Sequence, residues 1–177
     1  MNYIRNHWYH IGGIILAILA AWLLIIKPDL STIQYLLILN FMALLAHQFE
    51  EYQLPGGAPS IINRVVYNEE QLADRYPGNT LSIMLVNTIA WGIYIVSIFL
   101  PNIIWLGLGT ILFSLFQLLG HGFEMNIKLK TWYNPGLATT VFLFVPLGAF
   151  FISYATSYSL LTGMDWLLAI GVLISVR

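Results

Sequence analysis

Six long apolar segments, joined by short polar or proline-containing connections, occupy most of this 177-residue chain. Their predicted bounds are residues 8–26, 31–53, 80–100, 102–125, 135–156 and 163–176. The first five reach the roughly 20 residues that a helix needs to cross the hydrocarbon core of a bilayer. The pattern therefore predicts an all-α, polytopic membrane helical bundle with about six transmembrane helices.

Composition supports a single membrane domain covering residues 1–177. Hydrophobic residues make up 59% of the chain and charged residues 8%, and the mean hydropathy is +0.78. The net charge of −1 argues against a nucleic-acid partner. Because the chain has no cysteine, any metal site must use imidazole nitrogen and oxygen ligands. The first apolar segment lacks a small-residue cleavage pattern, so we expect a retained helix rather than a signal peptide.

Basic residues predict the orientation of the bundle. With six crossings, one lysine, Lys27, falls on the side opposite the amino terminus, and six basic residues fall on the amino-terminal side: Arg5, Arg64, Arg75, Lys128, Lys130 and Arg177. This asymmetry predicts cytoplasmic termini in an integral, multi-pass membrane protein. The sixth segment would cover roughly 20 Å of a 30 Å hydrocarbon core, which leaves open whether the natural chain continues beyond Arg177.

One seven-residue phrase occurs twice, as LLAHQFE at residues 44–50 and LLGHGFE at residues 118–124. Each copy closes a long apolar segment, and ionisable residues inside a membrane span are a functional-site hypothesis by default. A shift of 74 residues also superimposes the flanking helical hairpins. We therefore predict a first repeat at about 8–56, a cytoplasmic loop at about 57–79, a second repeat at about 80–136 and a third hairpin at about 137–177.

The spacing within the two phrases predicts that their polar side chains converge. On the second helix, His47, Glu50 and Glu51 stand at positions i, i+3 and i+4 and share one face. On the fourth helix, His121 and Glu124 stand at i and i+3. If these faces oppose each other, two imidazoles and three carboxylates meet, which is the ligand set of borderline divalent metals. A simpler alternative is a buried hydrogen bond between imidazole and carboxylate that locks the helices together.

This geometry gives a hypothesis for the role of each residue. The metal ligands would be His47, Glu51, His121 and Glu124, with Glu50 as the catalytic acid/base or a further ligand, and the ion would be zinc or iron. Four more residues are additional site candidates. His10 enters the first helix at a matching depth and could supply a further ligand, and the other three are Asn126, Tyr133 and Asn134. The polar loop of residues 55–79 would be either a lid or a solvated connector. The start of the fifth helix, beside two lysines, would suit an anionic substrate group or a lipid phosphate.

Three motifs in order resemble the HXXEE-domain family of membrane proteins. They are His47-Gln48-Phe49-Glu50-Glu51-Tyr52 with Pro55-Gly56-Gly57, then His121-Gly122-Phe123-Glu124, then Tyr133-Asn134-Pro135-Gly136-Leu137 with Thr139. The resemblance covers residues 34–144 approximately and implies a membrane protein suspected of enzymatic activity but with no assigned reaction. It supports the choice of residues more than any particular chemistry. A weaker similarity to the inverted zinc-peptidase pattern H-x-x-E-H lacks the final histidine, which is replaced by Glu51.

These observations predict a membrane-embedded, metal-dependent hydrolase or oxidoreductase that acts on a lipid-like or hydrophobic small molecule. Membrane lipid is the expected environment, and a homo-oligomer is compatible with the sequence. Two alternatives remain at this point. One is a metal-independent isomerase or lyase that uses a buried glutamate for proton transfer. The other is a small-molecule or ion carrier built from the repeats.

Overall fold

The long apolar segments all form helices in the computed structural model, which describes residues 2–176. Within that range there is no strand, and seven helices follow one another: α1 (Asn2–Ile25), α2 (Thr32–Tyr52), α3 (Ala58–Val65), α4 (Thr80–Phe99), α5 (Ile104–Leu129), α6 (Leu137–Ser157) and α7 (Gly163–Val176). Two stretches are π-helical, Leu118–Met125 within α5 and Thr140–Phe144 within α6. The prediction of an all-α helical bundle is confirmed.

Five helices, α1, α2, α4, α5 and α6, are long and apolar enough to cross a membrane, and α7 is a shorter apolar helix. Their bounds agree with the sequence prediction to within a few residues, except that α1 begins at Asn2 instead of residue 8. A non-helical backbone at His7 (φ −137°, ψ 16°) divides α1 into a short polar turn and the long apolar part. The sequence prediction found only the apolar part because it relied on hydrophobicity.

Polar side chains define where the helices begin. Ser31 caps α2 by accepting a hydrogen bond from the backbone N–H of Gln34. Asn79 and Ser82 form a reciprocal capping box at the start of α4. These caps fix where α2 and α4 begin, on the two sides of the bundle.

The second long helix, α2, is the centre of the bundle. In its most apolar window 61% of the residues are buried, against 17% in the corresponding windows of α1 and α4. On the other side of the bundle, α7 packs along α5. A Cβ atom placed on Gly109 of α5 would lie 2.6 Å from the Cβ of Val172, so this close approach requires glycine.

A polar cluster joins α2, α4 and α5 near the middle of the spans. Ser114 donates a hydrogen bond to Asn40 Oδ1 (2.9 Å), and its hydroxyl also contacts the hydroxyl of Tyr94 (2.7 Å). The Tyr94 hydroxyl also lies 3.0 Å from the backbone carbonyl of Thr110. Interhelical hydrogen bonds of this kind hold membrane helices in a defined rotation. The cluster thereby fixes which face of α2 turns towards α5.

The polar loop between α2 and α4 is ordered around α3, a helix that the sequence analysis did not predict. The buried side chain of Asn63 donates to the carbonyls of Ala73 (2.8 Å) and Gly78 (3.1 Å) and accepts from the N–H of Gly78 (2.8 Å). Lys128 of α5 donates to the carbonyl of Val65 at the end of α3 (2.6 Å). The loop is therefore tied back on itself and onto α5.

Candidate metal centre

Three ionisable side chains converge between α2 and α5. His47 and Glu51 are one turn apart on α2, and His121 approaches them from the π-helical stretch of α5. All three are buried, with exposed fractions of 2%, 6% and 1%. One nitrogen from each histidine and one oxygen from Glu51 lie within 4.8 Å of one another.

The distances bring the two imidazoles to opposite oxygens of the same carboxylate. His47 Nε2 lies 3.7 Å from Glu51 Oε2, and His121 Nε2 lies 3.4 Å from Glu51 Oε1. The ring centroids of the two histidines are 5.0 Å apart and their planes are nearly perpendicular, at 87°. Both Nε2 atoms therefore point into the same small space in front of Glu51.

The neighbour of His47 explains why α2 presents this face. Gln48 points the other way, towards α4, where its amide donates to Asn87 Oδ1 (2.9 Å) and its carbonyl oxygen accepts from Trp91 Nε1 (2.6 Å). Asn87 thus makes the interhelical hydrogen bond that its position in a span suggests. With Gln48 held on one side, His47 faces α5.

His47 Nε2 is a buried nitrogen without a hydrogen-bond partner. The carboxylate of Glu51 is also short of partners, because among the described residues its ion-pair contacts are the two histidines and include no lysine or arginine. A buried carboxylate and a buried unpaired nitrogen are both costly unless a cation or a proton joins them. The arrangement is therefore chemically suited to a metal ion.

The outer nitrogen of each histidine has a polar partner. His47 Nδ1 lies 2.9 Å from the hydroxyl of Thr139, and His121 Nδ1 lies 2.6 Å from Oδ1 of Asn134. Metal-binding histidines almost always use their second nitrogen in this way. The segment from Asn134 to Thr139, which leads into α6, supplies both partners.

Glu50 is not one of the three converging residues; its carboxylate binds the start of α6. Its Oε1 accepts from the hydroxyl of Tyr133 (2.9 Å) and the N–H of Ala138 (3.1 Å). Its Oε2 accepts from the N–H (2.8 Å) and the hydroxyl (2.6 Å) of Thr139. The free N–H groups of a helix start favour a negative charge. The anion that the sequence analysis expected at this helix start as a ligand is therefore supplied by the chain's own Glu50.

Tyr133 lies between α5 and α6, outside the long apolar helices, and its phenol contacts the same Glu50 carboxylate. Partial burial, its hydrogen bond to Glu50 and the negative charge of that group raise the pKa of Tyr133 to about 12. Tyr133 is therefore a protonated donor at physiological pH. Its contact is with Glu50 and not with the converging histidines.

Glu124 lies outside the converging group. Its side chain is 43% exposed, and its carboxylate pairs with Lys128, one turn further along α5, at 3.1 Å. On a regular α-helix, Glu124 would lie on the same face as His121, as the spacing predicts. The π-helical stretch Leu118–Met125 has wider turns, so the residue three positions after His121 no longer shares its face.

The remaining candidates take different positions. His10 packs edge-on against Phe49 (6.2 Å between ring centroids) and is outside the group. Asn134 contacts His121 directly, and its amide also donates to Asn126 Oδ1 at 2.8 Å. Asn126 thus reaches the histidine only through Asn134.

Comparison with known proteins agrees with the motif at the centre of this site. A family model described as a protein of unknown function with HXXEE motif matches residues 38–151. The chain belongs to the HXXEE family. No curated protein and no solved structure matches it.

The two glutamates of the HXXEE motif have different environments. Glu51 faces both histidines, whereas Glu50 binds the segment that carries their polar partners. Thr139 was not among the predicted site residues, although it belongs to the third motif by which the sequence resembles the HXXEE family. Its hydroxyl contacts both His47 and Glu50, and these contacts give a structural explanation for a threonine in that motif.

Proposed function

We propose that this HXXEE protein is a membrane-embedded enzyme that binds one divalent metal ion between α2 and α5 and acts on a hydrophobic substrate. His47, Glu51 and His121 would hold the ion. The observation that carries the proposal is the convergence of two imidazole nitrogens and one carboxylate, all buried, with His47 Nε2 unpartnered. A set of two histidines and one carboxylate is typical of catalytic zinc and of non-haem iron sites.

The spacing of the three groups supports this assignment. Two ligand atoms bound tetrahedrally to one zinc ion, each at about 2.0–2.1 Å, are separated by roughly 3.3 Å. His47 Nε2 lies 3.7 Å from Glu51 Oε2 and His121 Nε2 lies 3.4 Å from Glu51 Oε1, which is close to that value for a carboxylate that binds the ion through both oxygens. With one ligand atom from each residue, all three lie within 4.8 Å of one another. Three protein ligands also leave a coordination position for substrate or water, as catalytic sites require.

One ion is favoured over two. A dinuclear site would need more carboxylates than Glu51, and the two other candidates are engaged elsewhere. Glu50 accepts four hydrogen bonds from the start of α6, and Glu124 pairs with Lys128 at the surface. The same engagement of Glu50 disfavours a metal-independent mechanism in which it transfers protons.

A zinc ion would supply Lewis-acid activation of a polar substrate group or of a water molecule for hydrolysis. An iron ion would instead supply redox chemistry, with an external oxidant such as dioxygen accepting the electrons. A hydrophobic substrate is proposed because the helices around the site are apolar. Two apolar clefts of about 470 and 580 Å³ share Leu16 and Ala46, but His47, Glu51 and His121 do not line either of them. With the orientation that the basic residues favour, the site would lie near the cytoplasmic interface, and both termini would be cytoplasmic.

The site also supports the proposal that the bundle contains a repeat. His121 follows His47 by 74 positions, and the side chains of Asn40 and Ser114, which are also 74 positions apart, share a hydrogen bond. Equivalent residues meet where two parallel copies face each other across a pseudo-two-fold axis. We therefore place the ion at the interface between the two repeats of a single membrane domain, as in other repeat-built membrane proteins.

Elemental analysis of the purified protein tests the metal proposal. The protein is prepared without chelator and compared with three variants, His47→Ala, His121→Ala and His10→Ala. We expect about one zinc or iron per chain in the wild type and in His10→Ala, and loss of the metal in each of the other two variants. A wild type that carries no metal and gains none on titration would refute the proposal. Loss of the metal in only one of His47→Ala and His121→Ala would contradict a shared site.

A further inference from the structure

The Nδ1 atoms of the two histidines have different partners, but the two rings are oriented in the same way. In each ring Nδ1 faces a protein oxygen, and Nε2 faces Glu51. A neutral imidazole carries its single proton on one nitrogen and a lone pair on the other. The partner of Nδ1 therefore determines whether Nε2 can act as a ligand.

For His47, the hydroxyl of Thr139 decides the tautomer. A hydroxyl has one proton to donate, and the Thr139 proton is directed to Glu50 Oε2 at 2.6 Å, with the carbonyl of Gly136 as a longer alternative at 3.2 Å. In either case the Thr139 oxygen has no proton left for His47 and must accept one from it. His47 is therefore protonated on Nδ1, and its Nε2 carries the lone pair.

For His121, the side-chain amide of Asn134 decides the tautomer. The Asn134 nitrogen donates to the backbone carbonyl of His121 at 2.7 Å and to Asn126 Oδ1 at 2.8 Å. Both of its hydrogens are used, and a rotated amide would bring its oxygen against two acceptors. Asn134 Oδ1 therefore faces the ring and accepts from Nδ1–H, which again leaves the lone pair on Nε2.

We propose that Thr139 and Asn134 are positioning residues that hold both histidines as Nδ1–H tautomers, so that both Nε2 lone pairs converge in front of Glu51. The inference rests on the proposed metal site. It also gives a role to Glu50, the glutamate of the HXXEE motif that does not face that site. Glu50 receives the Thr139 proton and orders the start of α6, and Thr139 in turn orients His47. The segment of residues 134–139 thus orients both imidazoles at once.

The tautomers can be measured without any metal. Nitrogen NMR of imidazole-labelled protein, freed of metal and held about two pH units above the ordinary histidine pKa of 6.5, distinguishes Nδ1–H from Nε2–H in each ring. We expect Nδ1 to be protonated in both His47 and His121, whether or not Nε2 also carries a proton towards Glu51 in the absence of metal. Finding an unprotonated Nδ1 with the proton on Nε2 in either ring would overturn the inference, even if the protein binds metal.

The positioning role is tested by the affinity for zinc, measured by competition with a chromophoric chelator. Thr139→Val removes the hydroxyl that contacts His47, and Thr139→Ser keeps it. The control is Thr140→Val, which removes a neighbouring buried hydroxyl that donates to the carbonyl of Gly136 and does not touch either histidine. We expect 10–100-fold weaker binding for Thr139→Val, with affinity restored in Thr139→Ser and retained in Thr140→Val.

The outcomes separate this inference from the proposed function. If wild type and Thr139→Val bind zinc equally, the positioning role is wrong and the metal site stands. If wild type binds no zinc, the metal site is wrong, and the NMR result alone decides whether the tautomers are as inferred. If Thr139→Val does not fold, the comparison of wild type, Thr139→Ser and the NMR spectrum still tests the assignment.

Discussion

At the scale of single residues, Gly136 is the position at which the site tolerates the least change. A Cβ atom placed there would lie 2.4 Å from Cε1 of His121 and 2.8 Å from both ring nitrogens. Its φ angle of +103° lies in the region that favours glycine. The backbone of Gly136 therefore packs directly against the His121 ring.

Gly136→Ala is expected to displace the His121 ring and to weaken zinc binding at least about 10-fold, as loss of a supporting contact does in other metal sites. Competition with a chelator measures the change. The control is Gly120→Ala, since a Cβ at Gly120, directly before His121, would meet no atom within 4 Å. Unchanged affinity in Gly136→Ala would contradict the packing of His121 described above.

The sequence was enough to bring His47, Glu51 and His121 together, but not to place the residues whose position depends on backbone geometry. The spacing of His47 and Glu51 on an α-helix was sufficient to place both on one face. The same reasoning placed Glu124 with His121, but hydrophobic periodicity carries no signal for a π-helical stretch. Glu50 was assigned a chemical role because nothing in the sequence shows that the start of α6 binds it.

At the scale of helices, Glu50 is the main link between α2 and the start of α6. Four donors contact its carboxylate, and hydrogen bonds to a charged group are each worth about 1.5–3 kcal/mol before relaxation. The hydroxyl of Tyr133 and the backbone of residues 138 and 139 all depend on it. The geometry of the segment that orients the histidines therefore rests on this carboxylate.

Glu50→Gln is expected to destabilise the protein by about 2 kcal/mol, because the amide loses the charge and one of the two acceptor oxygens. Thermal unfolding in detergent, followed by circular dichroism, measures the loss. Glu124→Gln serves as the control and is expected to change stability by less than about 1 kcal/mol, since exposed ion pairs contribute little. Equal stability of the two variants would contradict the anchoring role of Glu50.

Helix prediction from the sequence was accurate for the spans and poor between them. Long apolar segments gave α1, α2, α4, α5 and α6 to within a few residues apart from the polar start of α1. The short α3 was missed because its formation depends on tertiary contacts. Asn63 within it and Lys128 of α5 provide hydrogen bonds that no local pattern reveals.

At the scale of the whole molecule, the distribution of basic residues predicts that both termini and the α3 loop face the cytoplasm. The chain has no native cysteine, so single cysteines can be introduced without removing others. Ser60→Cys in the α3 region and Asp29→Cys between α1 and α2 would sample the two sides. In intact cells, we expect a membrane-impermeant thiol reagent to label only one of them, Asp29→Cys.

Labelling of both positions only after the membrane is permeabilised would show that neither is accessible from outside and would contradict the six-crossing arrangement. Labelling of Ser60→Cys in intact cells, with Asp29→Cys protected, would reverse the orientation. In that case the site between α2 and α5 would lie near the outer interface. The three-residue geometry of the site would be unaffected, because it depends on helix packing alone.

X-ray absorption spectroscopy of the metal-loaded protein shows whether His47, His121 and Glu51 together bind one metal ion. We expect nitrogen and oxygen ligands at about 2.0–2.2 Å from the ion, including two imidazoles. In His47→Ala and His121→Ala, the two-imidazole signature should disappear. A spectrum without imidazole scattering, or a two-imidazole spectrum that persists unchanged in both variants, would show that these three residues do not bind the ion together.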